Sequence, residues 1–166
     1  MEQDIEQSDY INVIDKANSL GCSIPTDFAF LPRNFEEAVS RQELVHETLT
    51  IEIRKALREK GIKESRLERE GERYPTVLER AGDFVVPTVF ISMFLSQNPE
   101  VLSIVINVIS NYIYDFLKNK KSRDEITFSA VFEISQRKKY LKIDYKGTES
   151  AMDKIKPIIE SIKKDG

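Results

Sequence analysis

"NPEVLSIVINVISNYIYDFLKNKK", residues 98–121, holds nine Val, Ile or Leu residues in a chain of 166 that is 32% charged. A helix that crosses a bilayer needs about 20 mostly apolar residues. The uncharged runs here, 84–99 and 101–114, are shorter, and each contains Asn, Gln or Ser. Asn98 suits an N-cap, Pro99 a first helical position, and Glu100 the positive end of the helix dipole, while "KNKK" places cations at the other end. Ser103, Asn107, Ser110, Asn111, Tyr114 and Lys118 recur at helical spacing as a polar stripe. The stretch therefore predicts a water-compatible helix from Pro99 to about Asn119 with three apolar sides.

Immediately upstream, "YPTVLERAGDFVVPTVFISMFLSQ" predicts a helix starting near Thr76, bent or divided at Pro87, with Thr88, Ser92 and Ser96 on its polar side. Together the two segments make an apolar helical hairpin. Further upstream, "SDYINVIDKANSLG" reads as a helix with Ser8 as N-cap, Val13, Ile14, Ala17 and Leu20 on one face, and Gly21 as its stop. "CSIPTDFAFLPRNF" breaks that period with two prolines and three Phe residues and predicts a partly buried, extended connection. "ETLTIEIRKALREKG" predicts a second helix with Leu49, Ile53, Ala56 and Leu57 inward and Gly61 as its stop. "IKESRLEREGERY" is so charged that it predicts a solvated connection or helix that pairs its own charges and carries no chemistry.

Downstream the period changes to two. In "EITFSAVFEI", Ile126, Phe128, Ala130, Phe132 and Ile134 alternate with Thr127, Ser129, Val131 and Glu133, which predicts a strand buried on one face. "KYLKIDYKG" repeats the alternation, so the pair predicts an antiparallel hairpin, and the stretch "SIPTDFAF" could add a short strand to it. "TESAMDKIKPIIESIKK" closes the chain as an amphipathic helix with Met152, Ile155, Ile159 and Ile162 on one side, kinked or divided at Pro157. The expected fold class is α+β: a mainly helical front part with a central apolar helical hairpin, then an antiparallel β-hairpin and a C-terminal helix. The expected organisation is a single domain over 1–166. It comprises an N-terminal helical part (1–75), the apolar helical hairpin (76–119) and a ββα unit (124–164).

Composition excludes several chemistries. A single cysteine, Cys22, cannot form an internal disulfide, and a single histidine, His46, leaves little for a metal site. His46 sits in "ELVHETL" without a Gly-rich or elbow-like context, so it reads as a partly exposed histidine at a helix start rather than as a general base. The six glycines stand singly, so no Gly-rich phosphate loop exists. No metal and no cofactor is expected. The net charge of −3 hides an asymmetry: residues 1–117 carry 12 Lys or Arg against 20 Asp or Glu, and residues 118–166 carry 13 against 8. Those basic residues are scattered rather than clustered, which argues against nucleic acid as a partner. The acidic, polar start "MEQDIEQSDY" predicts no secretory leader, and a cytoplasmic location follows as the expectation.

From about Val77 to Lys164, the apolar helical pair, the aromatic and basic helix end "YIYDFLKNKK", the strands "ITFSAVFEI" and "KYLKIDYKG" and the closing amphipathic helix resemble a known layout. It is that of the small effector-associated constant components of bacterial conflict (defence) systems. The resemblance spans about half of the chain and transfers no site residues. It implies a non-catalytic accessory or adaptor protein that associates with itself or docks on an effector. The expected interface is the apolar hairpin, through Val101, Ile104, Val105, Val108 and Tyr112 with Phe90 and Phe94. Two alternatives compete with it. One is a membrane-perturbing effector using residues 84–117; the other is a Mg²⁺-dependent nuclease using Glu133, Asp144 and Lys146 of the strand hairpin.

Overall fold

A five-stranded mixed sheet organises the protein, and its strands come from both halves of the chain. The computed structural model describes residues 4–77, 86–118, 126–135 and 138–147. Strand β1 (Asp4–Asp9) precedes α1 (Val13–Leu20) and β2 (Phe28–Phe30); β3 (His46–Glu47) leads into α2 (Leu49–Glu59), followed by β4 (Thr76–Val77). Strand β5 (Val89–Ile91), the short α3 (Met93–Ser96), α4 (Pro99–Lys118), β6 (Ile126–Ser135) and β7 (Lys139–Gly147) complete the order. The main sheet runs β1-β7-β6-β5-β2, and β3 and β4 form a separate parallel pair. β5 and β6 are parallel, so they require a crossover, which α3 and α4 supply. All other neighbours in the main sheet are antiparallel.

Two apolar layers sandwich this sheet. On one face Leu49, Ile53 and Leu57 of α2 and Leu102, Val105, Ile106 and Ile109 of α4 meet Phe28, Phe30, Val89, Ile91, Ala130, Phe132 and Ile143. On the other, Val13, Ile14, Ala17 and Leu20 of α1 meet Phe90, Val131 and Tyr140, together with Leu31, Phe35, Leu44 and Leu67 from the connections. Each fully buried Leu, Ile or Phe contributes about 1.5–3 kcal/mol of transfer free energy. Helix stops are read as expected from Gly21 and Gly61. Both adopt positive φ, 75° and 76°. Ile62 N–H donates to Leu57 O and Gly61 N–H to Arg58 O, each at 2.9 Å, the paired bonds of a Schellman end.

Several expectations are corrected. The front part is not mainly helical, because β1, β2, β3 and β4 interrupt it. Ser8 lies in β1 opposite Lys142, and α1 is instead capped by Asn12, whose side chain accepts from Asp15 N–H at 3.0 Å. Among the described residues no apolar helical hairpin forms. Among the described residues of the region expected as its first arm, Thr76–Val77 form β4 and Val89–Ile91 form β5, and only Met93–Ser96 is helical. β-branched and aromatic Val89, Phe90 and Ile91 are all buried, which suits a central strand covered on both faces. "SIPTDFAF" does supply a strand, but β2 joins beside β5, not beside the β6–β7 hairpin. β6 is buried on both faces rather than one: Ser129, Val131 and Glu133 are buried as well as Ala130 and Phe132, and Val131 packs in the same cluster as α1. The C-terminal helix expected over 148–164 lies outside the described residues. Among the described residues no helix is long and apolar enough to cross a membrane.

Candidate functional site

Helix α2 carries a charge on its buried side. Leu49, Ile53 and Leu57, spaced by four, face the sheet, and Thr50 and Arg54 occupy the adjacent row, both buried. An arginine held out of water needs acceptors of opposite charge. They come from the segment that reads as a solvated connection. Arg54 Nη1 pairs with Glu68 Oε2 at 3.0 Å, Arg54 Nη2 donates to Glu68 Oε1 at 3.1 Å, and Arg54 Nε pairs with Glu64 Oε1.

Hydrogen bonds to β2 place this segment. Residues 64 and 65 meet β2: Glu64 Oε2 accepts from Phe30 N–H at 3.0 Å, and Ser65 N–H donates to Phe28 O at 2.9 Å. Ser65 Oγ also accepts from Thr26 and Asp27 N–H, each at 3.1 Å. With Leu67 buried in the α1-side core, the alternation of an extended chain turns Glu64 and Glu68 toward α2. The stretch "ESRLE" therefore carries a period-two signal: one apolar residue alternating with charged ones that need a common partner.

His46 completes the network. It is 2% exposed and opens β3, its N–H donating to Pro75 O at 2.9 Å, so the expected partly exposed helix-start histidine is corrected to a buried strand residue. Its Nε2 lies 2.9 Å from Glu68 Oε1. Burial pushes the Glu68 carboxyl up, but the His46 hydrogen bond and the Arg54 charge outweigh it and bring the pKa down to about 2. An ionised carboxylate only accepts, so His46 Nε2 carries the proton and donates. Nδ1 is then the remaining ring nitrogen, and among the described residues it is buried with no hydrogen-bond partner. A buried polar atom left in this way costs about 1–3 kcal/mol, a common property of sites built for something other than stability.

A cavity of about 280 Å³ opens over this network. His46, Arg54 and Glu68 form its polar floor, Tyr74 and Ile51 give apolar surface, and Arg58, Arg66 and Arg73 complete the wall with Thr76. Ile51, Arg54 and Arg58 share one side of α2 at spacings of three and four. The Tyr74 ring stands 5.5 Å from the His46 ring. Its hydroxyl lies 3.4 Å from Cys22 Sγ and donates to Leu67 O at 3.3 Å, and burial pushes its pKa up. Tyr74 thus offers the cavity its ring. Arg58 and Arg73 are exposed and form no salt bridge with any described residue, while Arg66 is half-buried and reaches Glu64 and Glu68 only at 3.7 and 3.9 Å. Four arginines face two carboxylates, so the cavity wall is electropositive.

The residues singled out from sequence are dispersed. Phe94 is 70% exposed and Ile104 46%, Val101 is also exposed and Val108 half-buried, whereas Phe90 and Val105 are fully buried in the core. Tyr112 lies in α4 and its side chain is outside the described set. Glu133 opposes Tyr140 and Asp144 opposes Ser129, four strand positions apart, or about 13 Å. Glu133 is occupied in accepting from Met93 N–H at 3.0 Å and Tyr140 OH at 3.3 Å, and Asp144 accepts from Ser129 Oγ. The side chain of Lys146 is outside the described set. Among the described residues no group of three or more His, Cys, Asp or Glu is arranged to hold a metal ion. Comparison with protein families, curated proteins and solved structures returns no match.

Proposed function

We propose that this protein is a binding module for a small anionic ligand, received in the arginine-walled cavity over α2. The observation that carries this reading is an imbalance of charge. The buried Arg54 is neutralised by Glu64 and Glu68, yet Arg58, Arg66 and Arg73 add positive charge around the same opening. Guanidinium groups recognise phosphate and carboxylate through paired N–H donors, and the cavity's size suits a small molecule. Binding suits the site better than catalysis, because Glu68 and Arg54 are committed to each other and the Tyr74 hydroxyl is turned away. Isothermal titration with inorganic pyrophosphate tests it. Binding is expected, and Arg58→Ala or Arg73→Ala should weaken it by about tenfold each, the scale of one hydrogen bond to a charged group. No binding, or binding indifferent to both substitutions, sinks the reading.

A second reading retains the adaptor role, with a second copy of the chain as the occupant. Phe94 at 70% exposure, with Val101 and Ile104 also exposed, favours it. A two-fold contact needs only one patch that complements itself. Sedimentation at increasing concentration should show a dimer that Phe94→Glu dissolves; a monomer throughout removes this reading.

A further inference from the structure

We infer that the ligand of this cavity is a mononucleotide, with its phosphate on the arginines and its base in an adjoining apolar lobe. This rests on the anion-binding reading above. A second cavity, of about 370 Å³, is lined by Arg54, Arg58 and Arg66 as well, so the two adjoin at these arginines. Beyond them its character differs. Leu57, Gly61 and Ile62 line it together with Lys63 and Glu64. A ligand that uses both lobes is therefore anionic at one end and apolar or ring-shaped at the other.

Arginines shared by both lobes suit a planar ring. Guanidinium planes stack on aromatic faces while their edges donate to phosphate, so Arg58 and Arg66 can serve both parts of one nucleotide. Gly61 holds its positive φ at the Schellman end of α2, and a Cβ there would meet nothing within 4 Å, so the backbone leaves this side of the lobe open. Without a Gly-rich loop, no backbone cradle is available for the phosphate, and side chains take that role.

The experiment compares three probes on the full chain: ADP, inorganic pyrophosphate and adenosine. ADP is expected to bind at least tenfold more tightly than pyrophosphate, and adenosine to show no measurable binding. Ile62→Trp, which fills the apolar lobe, should reduce ADP to the affinity of pyrophosphate and leave pyrophosphate unchanged. Backbone amide shifts in the unsubstituted protein give a readout independent of that variant: Gly61, Ile62 and Lys63 should move with ADP and stay still with pyrophosphate. If ADP binds no more tightly than pyrophosphate, or those amides do not move, the nucleotide inference is overturned and the anion site stands. If neither binds, both fall.

Discussion

Helices α2 and α4 lie on the same face of the sheet and bury the same kind of row, yet they differ in everything else. Within its 20 residues α4 carries charge only at Glu100, Asp115 and Lys118, and Leu102, Val105, Ile106 and Ile109 pack into the core. α2 has five charged residues among eleven and buries one of them, Arg54, beside Ile53 and Leu57. An apolar helix is accounted for once its side chains are covered. A helix that buries an arginine is accounted for only with the distant glutamates that neutralise it, and burial of such a set is not a source of net stability. The α2 side therefore keeps ionic groups that an apolar core would replace without loss, and this is where the candidate site stands.

The largest effect should come from breaking the ionic set. Glu68→Ala leaves Arg54 and His46 without their shared acceptor and should cost about 3–5 kcal/mol in thermal unfolding, the scale of a broken buried pair. Replacing Arg54, Glu64 and Glu68 together by Met, Gln and Gln should recover most of that loss. If Glu68→Ala costs under about 1 kcal/mol, the set behaves as a surface pair and the contrast with α4 disappears.

Acid titration probes the same contrast without a substitution. The Glu68 pKa is lowered from 4.5 to about 2, so the unfolded chain takes up the proton more readily than the native one. Its contribution is complete above pH 4.5 and is lost as pH falls toward 2, on the order of 3 kcal/mol. Glu68→Gln should flatten that limb of the stability curve; an unchanged limb would assign the acid sensitivity elsewhere.

On the α4 side the expected changes are smaller and purely structural. Ile109→Val should cost about 0.5–1.5 kcal/mol and leave anion binding unaltered. Smallest of all, Phe94→Ser and Arg73→Ala should each move stability by no more than about 0.5 kcal/mol, since neither is buried. They part in function: Arg73→Ala weakens pyrophosphate, and Phe94→Ser does not.

Some of this was legible from local pattern. The alternation in 126–135 and 139–147 yields two strands, and Asn98 with Pro99 starts α4 where it begins. The site itself was not legible, although its signals were present. Arg54 interrupts the apolar face of α2, and Leu67 stands alone in a charged run. Each is ordinary in isolation. Only the hydrogen bonds of Glu64 and Ser65 to β2 fix this segment against the fold, and those contacts span more than 30 positions.

What the chain determines by itself is therefore the elements whose information is local: the stops at Gly21 and Gly61, the capped start of α4, and the period of β6 and β7. What tertiary structure decided is β5 and the ionic site. A three-residue apolar run such as Val89–Ile91 suits a helix or a strand equally until neighbours on both edges supply hydrogen bonds. A glutamate is solvated until a buried guanidinium makes the interior the better place for it. In both cases the deciding free energy comes from partners remote in sequence, which no local pattern contains.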